Sequence, residues 1–191
     1  MPVLVVALGY LLGTMPTALL VGRRLGRDPT REGSGNPGAS NVYRTAGARA
    51  GAMVFAGDLI KGMTATGIGL AAGDRRLALA CGAAAVVGHV APVTRRFRGG
   101  KGVATAIGMV LVLFPLLAAG AAVVWGAVAK LTRKASLASI VVTVLLPVGV
   151  AVIGRPMVEV TAVTAVGALV VVRHASNIER LVRGDERSLP A

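Results

Sequence analysis

Aromatic residues make up 3% of this 191-residue chain, cysteine occurs once, and 8 acidic residues face 21 lysines and arginines. Each shortage excludes something. Cys81 stands alone inside an apolar run, so no disulfide forms within the chain. With so few aromatics there is almost nothing for nucleobases to stack on, and the net charge of +13 does not read as a nucleic-acid surface. No His, Cys, Asp and Glu cluster has metal-ligand spacing, so a metal is not indicated. Charge itself is missing over whole stretches: Met1 to Gly22, Leu77 to Thr94 and Gly102 to Ala129. A soluble domain of this length would spread charge over its surface.

What remains is hydrophobic, at 54% of residues. Runs of about 18 or more apolar residues are what a hydrocarbon core ~30 Å thick requires of a spanning helix. The chain reads as one all-α, polytopic membrane domain over 1–191, with spans near 2–22, 51–72, 77–94, 137–153 and 156–173 and an ambiguous stretch from 103 to 129. The first span does not look like a cleaved leader, because Arg23 and Arg24 follow its apolar part instead of preceding it. Small residues recur through 51–73 and 102–128, as close helix packing in lipid favours.

Basic residues gather in four clusters, around 23–49, 95–101, 130–134 and 173–187. The remaining connections hold only Arg75, Arg76 and Arg155. If 103–129 were one helix, the last two clusters would lie on the side opposite the first two. Two short helices, turning between Phe114-Pro115 and Gly120, put all four on one face, as the positive-inside rule prefers. This parity predicts seven transmembrane segments, the fourth and fifth short, with the N-terminus outside and the C-terminus in the cytosol.

Three polar constellations interrupt the apolar pattern. In the first, Arg31 to Arg44, the glycines beside Ser34, Gly35, Asn36, Ser40 and Asn41 can present successive N–H groups to a phosphate, and Arg44 adds a charged fork. Gly-Asn-Pro-Gly is also ordinary turn chemistry. In the second, Arg95 to Thr105, the run Gly99-Gly100-Lys101-Gly102 opens into an apolar helix, a ready anion site. It is not a Walker A loop, since Arg95 and Gly102 stand where Gly and Ser or Thr would be needed. In the third, Arg173 to Glu186, helical spacing puts His174 and Asn177 on one face, toward a substrate or as part of an interfacial amphipathic tail. Asp58 and Lys61 lie three apart within a span, placed to pair, and intramembrane ionisable residues are candidate functional groups. Ser136 and Ser139 begin a span as caps or ligands, and His89 reads as a packing residue.

Taken together, the motifs resemble the bacterial acyl-phosphate:glycerol-3-phosphate acyltransferase family (PlsY) over nearly the whole chain. They are the Gly9-Tyr-Leu-Leu-Gly-Thr-Met-Pro start, the Gly-Ser-Gly-Asn loop and Asp58 with Lys61-Gly62. Gly88-His89 follows, then Gly-Gly-Lys-Gly-Val-Ala-Thr, Ser136-Leu-Ala-Ser139 and His174-x-x-Asn177 through Glu186. The resemblance implies transfer of a fatty acyl group from acyl phosphate to the 1-hydroxyl of glycerol 3-phosphate, starting phospholipid synthesis at the bacterial cytoplasmic membrane. It implies seven helices, a cytosolic active site and no cofactor. By motif match, Ser34, Arg44 and Lys101 contact substrate, Ser139, His174 and Asn177 are further site residues, and Glu186 is more structural. Lys134-Ala135 replaces the family's usual Tyr-Val, which leaves Ser136 and Ser139 both open as the site serine. A transporter for a phosphorylated metabolite is the rival class, though no paired inverted repeat is visible.

Overall fold

A computed structural model describes residues 1–190, and among them the regular structure is entirely helical. The order is α1 (Pro2–Gly13), α2 (Thr17–Arg24), α3 (Ala39–Ala46), α4 (Ala48–Ala72), α5 (Arg75–Val90), α6 (Val103–Leu113), α7 (Pro115–Thr132), α8 (Ala135–Val152), α9 (Met157–Arg173) and α10 (Ala175–Arg183). Four segments are long and apolar enough to cross a membrane: Pro2–Arg24, Arg75–Arg95, Pro115–Thr132 and Ala135–Val152. A fifth is added if α9 and α10, bent by 57° at His174, count as one. The chain divides into two compact units, Met1–Val112 and Leu113–Ala191.

In the first unit glycines bring helix backbones into direct contact. A Cβ on Gly13 would overlap the Ala85 carbonyl, and one on Gly9 would sit 2.8 Å from the Cys81 carbonyl oxygen, so α1 lies flat on α5. The same device joins α4 to α6, where Gly62 faces the Thr105 carbonyl and Gly108 faces that of Leu59. Lipid tails supply no hydrophobic drive between helices, so such small-residue contacts carry the packing. Asp74 caps α5, accepting from the N–H groups of Arg76 at 2.9 Å and Leu77 at 3.0 Å.

Three helix boundaries differ from the sequence expectation. The first span is broken at Thr14–Pro16, where Pro16 lacks the N–H that would continue the helix. The first glycine-rich loop is shorter than its motif, because residues from Ala39 onward form α3 and carry Asn41 and Arg44 on a helix. The stretch from 103 to 129 does split, with the break at Phe114 (φ −141°, ψ 64°). The fifth segment is nevertheless not short. Pro115 occupies the first helical turn, where its fixed φ favours initiation, and α7 then runs 18 residues through Gly120. Only the fourth, α6, is short, at 11 residues.

In the second unit the C-terminal tail is stapled to the turn between α7 and α8. Leu189 N–H donates to the Arg133 carbonyl at 2.7 Å, and Arg133 Nη2 returns a bond to the Leu189 carbonyl at 2.9 Å. Lys134 Nζ donates to the Glu186 carbonyl and to Ser188 Oγ. The staple centres on the Glu186 carboxylate, which is 6% exposed. It accepts from Asn177 Nδ2 at 2.7 Å, Ser136 Oγ at 2.8 Å and Arg180 Nε at 2.8 Å. Burial works to raise this carboxyl, but the three donors and the Arg180 charge outweigh it and hold Glu186 below the ordinary glutamate value of 4.5.

Two outcomes follow from this packing. Gly62→Val should lower the unfolding temperature sharply and cost roughly 2–3 kcal/mol, since the overlapping atom is backbone and cannot move aside. Because Glu186 is depressed in the folded state, its contribution is complete at neutral pH and is lost as pH falls below 4.5. Limited proteolysis of the 184–190 tail should accelerate over that acidic range in the wild type. Glu186→Gln should make the tail susceptible already at pH 7, with a loss of about 1–3 kcal/mol.

Candidate active site

Both glycine-rich loops belong to the first unit. In the first loop Asn41, 1% exposed, is the organising residue. Its Oδ1 accepts from Ser34 N–H at 2.8 Å, while its Nδ2 donates to the carbonyls of Pro29 and Glu32, both at 3.0 Å. Gly33 and Gly35 take φ values of +59° and +70°, which a side chain would resist, so the loop winds tightly around this amide. Ser34 Oγ accepts from Asn36 N–H at 3.4 Å. Arg44, half-buried, projects from the last turn of α3. Asn41 thus holds the loop's shape, a role that a list of neutral donors does not reveal.

The second loop folds back on the end of α5. Gly99 N–H donates to the Val90 carbonyl and Gly100 N–H to the His89 carbonyl, each at 3.1 Å. These bonds satisfy carbonyls that α5 leaves over at its C-terminus. The two N–H groups expected to face an anion are therefore engaged in shaping the loop. The next residues are Lys101, half-buried, and Gly102, at φ +87°, immediately before α6. The loops are neighbours. Asp28, ahead of the first, is held below the usual carboxylate range chiefly by hydrogen bonds from Thr30, with Arg31 and then Arg95 of the second loop adding charge. A small cavity has Pro37 of the first loop and Gly100 of the second in its wall, together with Asp58, Lys61, His89 and Arg95.

Asp58 and Lys61 pair as their spacing predicts, at 2.9 Å. His89 is not a packing residue. Its Nδ1 lies 2.7 Å from Lys61 Nζ and 3.5 Å from Asp58 Oδ1. A clue was present in the sequence, since a buried ammonium has three donors and one carboxylate three residues away does not satisfy them.

In the second unit His174 sits at the break between α9 and α10, not on α10 with Asn177. It is 2% exposed, and its Nδ1 is 2.8 Å from the Val170 carbonyl. A carbonyl only accepts, so Nδ1 carries a proton and a neutral imidazole keeps its lone pair on Nε2. Asn177 and Ser136 both turn to Glu186. Ser139 Oγ donates to the Ala135 carbonyl at 2.8 Å and accepts from Trp125 Nε1 at 3.1 Å. Neither serine caps α8, whose N-cap is Lys134. The hydroxyl of Ser136 is committed to the carboxylate of the tail, which separates the two serines in kind.

The profile of the glycerol-3-phosphate acyltransferase family matches residues 3–184. A glycerol-3-phosphate acyltransferase of Rubrobacter xylanophilus is 46% identical over 186 residues, covering 97% of this chain and 94% of the relative. One from Syntrophomonas wolfei is 41% identical over 181 residues, covering 94% and 93%. Among solved structures, the glycerol 3-phosphate form of PlsY (YgiH), an integral membrane glycerol 3-phosphate acyltransferase, is similar with a TM-score of 0.95 at 36% identity. That match covers 99% of this chain and 96% of PlsY. The lysophosphatidic acid form of the same protein is similar with a TM-score of 0.92, also at 36% identity. This integral membrane chain, helical throughout its described regular structure and matched over nearly its whole length by these relatives, belongs to the glycerol-3-phosphate acyltransferase family.

Proposed function

We propose that this chain transfers a fatty acyl group from acyl phosphate to the 1-hydroxyl of glycerol 3-phosphate, releasing lysophosphatidic acid and phosphate. The observation that carries the reading is the end-to-end similarity to a structure with glycerol 3-phosphate and lysophosphatidic acid forms. The donor is inferred from chemistry. Acyl phosphate is already activated, because phosphate is a good leaving group, and the motifs contain no nucleophile–base–orienter triad for a covalent intermediate. The hydroxyl oxygen attacks the acyl carbon, and the bond from that carbon to the phosphate oxygen breaks with its electron pair on phosphate. The hydroxyl proton passes to His174 Nε2 or to the substrate's own phosphate.

The protein's task is then to orient two anionic headgroups and stabilise the departing charge. We assign phosphate contact to Ser34, Gly35, Asn36, Arg44, Lys101 and Gly102. Gly99 and Gly100 contribute by shaping the loop that carries Lys101, since their N–H groups hold the end of α5. In the second unit we assign His174 and Ser139 to the reacting centre. Asn177 serves it by being held on Glu186, as does Ser136.

We further propose seven crossings of the bacterial cytoplasmic membrane, with the N-terminus outside and both glycine loops in the cytosol. Support comes from the four basic clusters and from the separation of α6 and α7 at Phe114. At about 1.5 Å per residue α6 reaches only roughly 16 Å. It crosses only where its ends meet loops or a thinned bilayer.

Lys101→Ala should reduce kcat/KM by about 10³-fold or more while the protein stays folded by thermal melt and gel filtration. Near-normal kcat/KM in that variant would remove Lys101 from the site. For topology, cysteines at Leu116 and Arg133 in a Cys81→Ser background should differ. An impermeant maleimide added to intact cells should label the Leu116 position and spare the Arg133 position. The reverse pattern would overturn the orientation.

A further inference from the structure

We propose that Asp58, Lys61 and His89 form a buried positioning cluster that sets the Gly99–Gly102 loop and, through it, the place of Lys101. What Lys101 does rests on the acyltransferase reading; how it is placed does not. The cluster lies inside α4 and α5, with Asp58 3% and Lys61 4% exposed. Ionisable groups at such positions are costly and persist where they are paired and used.

The Lys61 ammonium has three donors, and three elements supply their acceptors. Asp58 Oδ1 on α4 lies at 2.9 Å, His89 Nδ1 near the end of α5 at 2.7 Å, and the Met15 carbonyl at the α1–α2 break at 3.2 Å. An ammonium only donates, so it fixes His89 with Nδ1 as acceptor and the ring turned one way. The other edge of that ring carries Nε2 and lies against Gly100, where a Cβ would overlap it. The backbone of the same histidine accepts Gly100 N–H, beside the Val90 carbonyl that accepts Gly99 N–H. His89 therefore holds the loop twice, by its ring and by its carbonyl, one residue before Lys101. Three apolar residues would pack the helices as well, but they would not fix the ring's rotation or lock the α1–α2 break to the loop. Hydrogen-bond geometry supplies that direction, and the proposed reaction depends on placement of about an ångström or better.

The test compares His89→Ala, His89→Asn, Lys61→Met, Lys101→Ala and the His89→Ala/Lys101→Ala double variant, all as purified full chain in detergent. Hydrogen exchange of the 95–103 segment is read beside steady-state acyl transfer. His89→Ala and Lys61→Met should raise exchange in 95–103 and lower kcat/KM by about 10–100-fold. His89→Asn, whose amide oxygen can stand in for Nδ1, should recover to within about fivefold of wild type. The double variant should be no more than about threefold worse than Lys101→Ala, since both changes remove one function. Unchanged exchange in 95–103, or losses that multiply in the double variant, would overturn the proposal. So would failure of His89→Ala, His89→Asn and Lys61→Met alike to fold, because the cluster would then be only a folding core. If exchange responds as expected but the wild type transfers no acyl group, the acyltransferase reading fails and the positioning role stands.

Discussion

Backbone that leaves its helix inside a membrane must find its hydrogen bonds within the protein, because hydrocarbon offers no water to complete them. The α1–α2 break, inside the first apolar segment, meets that constraint, and the loops and tail at the helix ends are closed by hydrogen bonds in the same way. The α1–α2 break gives its Met15 carbonyl to Lys61, and the end of α5 gives the carbonyls of His89 and Val90 to the second glycine loop. The first loop winds around the Asn41 amide. The C-terminal tail exchanges bonds with Arg133 and Lys134 and buries the Glu186 carboxylate under three donors.

Hydrogen bonds of this kind fix where a loop's side chains stand, and fixed placement is what the proposed chemistry asks for. An acyl phosphate carries its own activation, so orientation and charge stabilisation do most of the work. The composition serves the same end. Glycine lets helices close to backbone contact, as at Gly13 against Ala85 and Gly62 against Thr105, and it allows the left-handed turns at Gly33, Gly35 and Gly102. The charges do not form a general surface. Several are built into local devices, as Lys61 is with Asp58 and Arg180 is with Glu186.

Much of this was legible in the sequence, for identifiable reasons. Apolar run lengths gave the helical class, motif order gave the family, and the distribution of cations gave a reason to split 103–129. The Asp58–Lys61 pair followed from spacing alone. What escaped depends on contacts between distant segments. His89 looked like packing because its partners are 28 and 31 positions away in the chain. The break near Pro115 stands where the sequence puts it, but Pro115 at the first turn starts α7, so the fifth segment is not short. Gly99 and Gly100 looked like anion donors, because nothing local reveals that α5 ends within reach of their N–H groups. Ser136 and Ser139 were indistinguishable until the tail brought Glu186 to one and α7 brought Trp125 to the other.

In the proposed reaction, binding and orientation alone suffice because the donor arrives activated. The most direct test offers the purified chain labelled glycerol 3-phosphate with acyl phosphate or with an acyl thioester of the same chain length. Lysophosphatidic acid should form with acyl phosphate, with one phosphate released for each molecule made and no acylated protein trapped on rapid quenching. Product formed only from the thioester, or an acyl group recovered on the protein, would contradict it.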